Sequence, residues 1–243
     1  MDQGEFCIEL SQVSKSFGNS KVVRDVSLQV RYSEIFGLLG PSGAGKTTIV
    51  RMIAGIDTAT LGSVLVLGDK MPKLSIMVNL GYMSQSDALY SELTALENLE
   101  FFGSLYGLKG KPRKKRIAEV METVNLSSDL KKQVFHYSGG MKRRLSLAIA
   151  LLHSPRILIL DEPTVGIDPV LRKSIWQELD KLSRAGTSIL LTTHVMDEAD
   201  KCHRLGMIRN GGLIAVGSPE LLKQETQSTT LEDAFLYYGG VRA

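Results

Sequence analysis

The run Gly40-Pro41-Ser42-Gly43-Ala44-Gly45-Lys46-Thr47 constrains this chain more than any other segment. It fits G-x-x-x-x-G-K-[ST] at every position. Ile35–Leu39 before it is a compact apolar run, read as a buried strand. After it a helix is predicted from Lys46 to near Gly55, with Ile49, Val50 and Ile53 on one face. Strand, glycine-rich loop and helix in this order make a phosphate cradle. Glycines let backbone N–H groups curl around phosphate oxygens, and the helix adds the positive end of its dipole. The expected ligands are ATP and Mg2+. Gly40, Pro41, Ser42, Gly43, Ala44, Gly45, Lys46, Thr47 and the adjoining Thr48 are the expected nucleotide contacts. Lys46 should reach the terminal phosphates, and the Thr47 hydroxyl should ligate Mg2+. A plain turn before a helix, with a solvated lysine, would leave the match of strand, loop and helix a coincidence.

Arg156-Ile157-Leu158-Ile159-Leu160-Asp161-Glu162 is the matching second element. Its apolar residues read as a buried strand, and two carboxylates emerge at its C-terminal end, where open α/β sheets bind ligands. Asp161 is expected to hold Mg2+ through water, and Glu162 to polarise the attacking water as general base. An acidic helix cap is the plainer alternative, since Asp-Glu-Pro also suits a helix start.

The rest of the chain agrees with an α/β fold. Cys7–Val13 and Val22–Val30 read as strands with a turn at Gly18-Asn19, and Ser63–Leu67 as another. Ile117, Val120, Met121 and Val124 recur at helical spacing within Arg113–Val124, as do Met141, Leu145, Ala148, Ile149 and Leu152. Ser188–Thr193 returns to strand character after a helix around Val170–Ser183. The expected architecture is a phosphate-loop NTPase core with a mainly parallel sheet, an N-terminal antiparallel β subdomain and an inserted α-helical subdomain. Residues 1–86 and 154–218 are expected to form the core with the β subdomain. Residues 87–153 would form the helical insertion and 219–243 a C-terminal helical tail, all within one domain.

A family resemblance rests on the segment Tyr137-Ser138-Gly139-Gly140-Met141, followed by Lys142-Arg143-Arg144-Leu145. It resembles the signature motif of the ATP-binding cassette (ABC) ATPases. Gln85 resembles their Q-loop glutamine, Val165-Gly166-Ile167-Asp168-Pro169 their D-loop, and His194 their switch histidine. Phe17 stands where the family places an adenine-stacking aromatic. The general signature begins with Leu and ends with Gln. The Tyr137 and Met141 found here resemble the ABC-2 branch of drug and lipid exporters, as do Leu89–Thr94 with Glu97-Asn98-Leu99 and Leu231–Leu236. The resemblance implies catalytic roles for Glu162, His194 and Gln85, a metal set of Thr47, Gln85 and Asp161, and a D-loop role for Asp168. It also implies that Ser138, Gly139 and Gly140 face the γ-phosphate held by a second ATPase subunit, identical or similar. Ser138-Gly139-Gly140 opens a predicted helix and so offers N–H groups to an anion; a plain Ser cap is the alternative.

Composition bounds what remains. Net charge is +3, and 43% of the 243 residues are apolar, as in ordinary globular proteins. The longest apolar stretches fall well short of the ~18 residues that span a bilayer. The acidic start Met1–Glu5 lacks the apolar core of a signal peptide. Cys7 and Cys202 have no metal-ligand spacing. The basic run Lys109–Arg116 lacks interleaved aromatics and reads as a solvated loop and helix start. No role is assigned to His136, His153 or His203. The expected function is the ATP-hydrolysing subunit of an exporter, at the cytoplasmic face of the cell membrane, bound to separate membrane-spanning subunits and to no nucleic acid. The alternatives are an ABC ATPase acting on ribosomes or DNA, and a regulatory module that holds ATP without turnover.

Overall fold

The computed structural model describes residues 5–86 and 88–240. The start of the chain, on which the signal-peptide expectation rests, lies mostly outside them; so do the boundary residue Asp87 and the last tail residues 241–243. Strands β1 (Phe6–Phe17) and β2 (Ser20–Arg31) pair antiparallel across Gly18-Asn19. β1 runs four residues past the expected Val13. The reason is local: Gln12 adopts φ 49° and shifts the register between Leu10 and Val13, which breaks the alternation a strand reading depends on. Strand β4 follows β3 (Ile35–Leu39) in the chain. It spans Leu61–Val66 rather than Ser63–Leu67, because Leu67 and Gly68 turn left-handed at φ 52° and 82°. With the short β5 (Asp69–Lys70) these strands make an antiparallel sheet in the order β2-β1-β4-β5.

The second sheet carries the phosphate loop. β3 (Ile35–Leu39), β6 (Leu80–Met83), β7 (Ile157–Asp161), β8 (Ser188–Thr193), β9 (Arg204–Arg209) and β10 (Gly212–Gly217) lie in the order β10-β9-β3-β8-β7-β6. All neighbours are parallel except β9 and β10. Every residue of β3, β7 and β8 is buried, as in a sheet covered on both faces. Alternation then sends successive residues to two cores. Leu158 and Leu160 join one, and Ile157 and Ile159 the other. The second core also holds the inner face of the antiparallel sheet and α1 (Lys46–Ile53). The β9–β10 hairpin turns on Asn210-Gly211, at φ 51° and 81°, the backbone a two-residue hairpin requires.

The helical region joins the first core. After the short α2 (Leu74–Met77) come α3 (Ala95–Leu105), α4 (Gly110–Thr123) and α5 (Gly139–Leu151). α3 is stapled at its start by a capping box between Thr94 and Glu97. α4 begins three residues before the expected Arg113. Pro112 falls in its first turn, where no intrahelical N–H bond is lost. The basic run is thus helix, and part of it is structural. Arg116 donates to the carbonyls of Leu151 and Leu152 at 2.7 and 3.1 Å, holding the end of α5. α6 (Pro169–Arg184), α7 (Met196–Ala199), α8 (Pro219–Glu225) and α9 (Leu231–Tyr238) complete the chain. Among the described residues no helix is long and apolar enough to cross a membrane.

Candidate nucleotide site

The loop from Gly40 to Thr47 leaves the C-terminal end of β3 and feeds α1. Gly43 and Gly45 take φ 78° and 102°, open to glycine at no steric cost. A Cβ on Gly40 would run into the Ile208 carbonyl. Gly45 caps α1 without a side chain, so no side chain competes for the first N–H groups of the helix. Lys46 lies back over the loop, with Nζ donating to the carbonyls of Gly40 and Pro41 at 2.6 and 3.0 Å. Burial lowers its pKa, against the pull of Glu162 and Asp161. An arriving triphosphate would offer this ammonium a stronger partner than two carbonyls.

The end of β7 supplies the carboxylates. Asp161 is fully buried, and Thr192 on the adjacent β8 donates to its Oδ1 at 2.5 Å. The other oxygen, Oδ2, is buried and has no hydrogen-bond partner. A carboxylate oxygen orphaned this way fits a cation that the protein expects there. The cleft beside it is lined by Thr47, Arg51, Tyr82, Ser84, Gln85, Ser86 and Asp161. No group of three or more His, Cys, Asp or Glu among the described residues could hold a metal by itself. Mg2+ takes few protein ligands and completes its shell with water and phosphate.

Glu162 stands in the left-handed region at φ 52°, a conformation that costs a non-glycine residue ~1–3 kcal/mol. Its N–H donates to Thr192 Oγ1 at 2.9 Å, so one hydroxyl fixes both acids. Its Oε1 lies 3.1 Å from Nδ1 of His194 and 3.8 Å from Nζ of Lys46. Ser42, Gly43, Gly45, Lys46, Thr47, Thr48, Gln85 and Glu162 line one cleft, together with Val22.

The remaining predicted residues stand apart. Ser138 caps α5, its Oγ accepting from the Met141 N–H at 3.2 Å, and a Cβ on Gly139 would meet nothing. None of Ser138, Gly139 and Gly140 lines either cleft beside the phosphate loop. Asp168 caps α6, accepting from Val170 and Leu171 at 3.1 and 3.0 Å. Phe17 is half-exposed at the hairpin tip, with Lys15 Nζ 4.9 Å above its ring, and is not among the residues lining these clefts. His153 is stacked on Tyr106 and bonded to Leu80, and His203 accepts from the Ile35 N–H. Both cysteines are buried, and burial pushes the Cys7 thiol up to about 11.

Val22, Thr192 and Arg143 are among the residues at the site that carried no expectation from sequence. Val22 reaches the cleft from β2. Thr192 sits inside an apolar strand. Arg143, one turn into α5, donates to Ser84 and Gln85 at 2.7 and 2.9 Å, to Glu162 at 2.6 Å and to Asp161, all at backbone carbonyls. For Arg143 the only signal was its place in the run after the signature.

A phosphate loop at the switch from β3 to α1, facing two acids at the end of β7, defines a nucleotide-binding ATPase cassette. The sequence profile of the ABC transporter family matches residues 23–165, and the chain belongs to that family. It is similar to the probable multidrug ABC transporter ATP-binding protein YbhF of Escherichia coli (strain K12), at 40% identity over 96% of this chain and 42% of that protein. It thus spans less than half of that relative's length. It is also similar to the Nod factor export ATP-binding protein I of Sinorhizobium fredii (strain NBRC 101917 / NGR234), at 42% identity over 98% of this chain and 69% of that protein. Among solved structures, an ATP-binding subunit of an ABC transporter superposes with TM-score 0.88 at 25% identity, covering 96% of this chain and 99% of that one. A dimeric ATP-binding cassette in a post-hydrolysis state, bound to ADP and Pi, superposes with TM-score 0.81 at 27% identity, covering 87% and 98%.

Proposed function

We propose that this chain binds and hydrolyses Mg-ATP as the ATPase subunit of an exporter, working with a separate membrane-spanning partner. The observation that carries the reading is the meeting of Lys46, Glu162 and His194, with Glu162 Oε1 within 3.8 Å of both other groups. Lys46 and the loop N–H groups hold the β- and γ-phosphates. Thr47, Asp161 and Gln85 would hold Mg2+, whose charge would offset that of the phosphates. Glu162 takes a proton from water as it attacks the γ-phosphorus, the bond to the β–γ bridging oxygen breaks, and ADP and phosphate leave. His194 holds Glu162 in place and faces the γ-phosphate.

Ser138, Gly139 and Gly140 lie off the chain's own cleft, which favours their use across a dimer, against ATP held by a second subunit. Phe17 stacks on adenine. Segments after Gln85, in the helical region, grip the membrane partner, and the chain works at the cytoplasmic face of the membrane. One relative is named for Nod factor export and the other as a probable multidrug transporter protein; the first name supports outward transport. The test is purification of the tagged chain from detergent-solubilised membranes of its own cell. A polytopic membrane protein in stoichiometric amount is expected. Ribosomes or DNA in its place would overturn the reading.

A further inference from the structure

We infer that Arg143 is a positioning residue for hydrolysis: it locks the signature-bearing helix to the backbone that presents Gln85, Asp161 and Glu162. The inference rests on the metal and catalytic reading of those three side chains.

The guanidinium is buried, and its N–H groups reach carbonyls on two separate strand ends. Nη1 donates to Ser84 and Gln85, just past β6. Nη2 donates to Asp161 and Glu162, at the end of β7. β6 and β7 are neighbours in the sheet, so one planar fork spans the gap between the segments that carry Gln85 and the acids. Arg144, the next residue, faces away and donates to the carbonyls of Val124 and Asn125 at 3.1 and 2.9 Å. Both arginines anchor α5 by paired carbonyls, Arg143 at the backbone of the site and Arg144 away from it. Arg144 is therefore an internal control for mere helix anchoring.

Groups that orient metal ligands from behind change metal affinity or activity by ~10–100-fold when removed. R143A should raise the Mg2+ concentration that half-saturates ATP hydrolysis by that factor. It should raise equally the Mg2+ needed for half of the metal-dependent rise in melting temperature with ATP present. ATP binding in EDTA, which depends on Lys46 and the loop, should stay within about twofold. R144A should leave both Mg2+ midpoints within about twofold. If R143A does not fold, R143K serves: its ammonium keeps the charge but cannot fork across both segments, and an intermediate shift is expected. Equal Mg2+ midpoints in R143A (or R143K) and R144A would overturn the inference. D161N separates the two levels. A shift in D161N with none in R143A defeats the positioning role alone, whereas no shift in D161N defeats the metal site and the inference with it.

Discussion

Nδ1 of His194 stands 3.1 Å from Oε1 of Glu162, joining the ends of β8 and β7 through side chains. Glu162 is 8% exposed, so most of what surrounds its carboxylate is protein. Its lining of the phosphate cleft leaves it a face toward ligand. A base held by a histidine on one side and a lysine on the other is oriented before substrate arrives, which is the condition for efficient proton transfer.

Lys46→Ala should weaken nucleotide binding, since it removes the mobile charge aimed at the β- and γ-phosphates. Mg-ATP raises the melting temperature of any protein that binds it in the folded state. The parent should show that rise and the variant should lose most of it. An equal rise in both would contradict the role of this lysine.

Thr192→Val keeps shape but deletes the hydroxyl that serves both acids. It leaves the Glu162 N–H and Asp161 Oδ1 without that partner in a fully buried place. The cost should be about 1–3 kcal/mol of stability, read from urea unfolding, with hydrolysis reduced more than ATP binding. Parental stability and turnover would show that the acids hold their geometry without it.

Much of this was legible in the sequence because it depends on local pattern. Ile35–Leu39 is an apolar run and Ser188–Thr193 has Ile189, Leu190 and Leu191 at its centre, and each forms a strand with those bounds. The phosphate loop is set by glycines whose φ values only that residue adopts freely. Arg143 was not legible as a site residue, because the order Lys142-Arg143-Arg144 does not tell which cation is buried. Its burial comes from β6 and β7 lying side by side, 58 or more residues before it or 18 and 19 after it in the chain. The length of β1 was hidden for a different, local reason: the bulge at Gln12, φ 49°, breaks the alternation that marks a strand.

Ser138→Arg should leave ATP binding by each monomer nearly intact yet block hydrolysis, if the signature acts across a dimer. Ser138 caps α5, and losing a Ser cap costs only ~1 kcal/mol, so the fold should survive. Mixing this protein with Lys46→Ala protein should restore part of the ATPase activity. A head-to-tail mixed dimer puts both lesions in one composite site and leaves the other whole. No gain on mixing, with mixed dimers shown to form by crosslinking, would contradict two-site sharing.

Glu162→Gln separates ATP binding from hydrolysis. The change keeps size and shape and removes the charge that makes the carboxylate a base, and losing a general base costs ~10²–10⁴-fold in rate. Lys46, Thr47 and the loop N–H groups are untouched, so ATP should still bind. The measurement is size-exclusion chromatography with light scattering, with Mg-ATP and with Mg-ADP, alongside phosphate release. Turnover should be nearly abolished, and a dimer should accumulate in Mg-ATP and not in Mg-ADP. Near-parental phosphate release from the variant, with no ATP-dependent dimer, would contradict this role of Glu162.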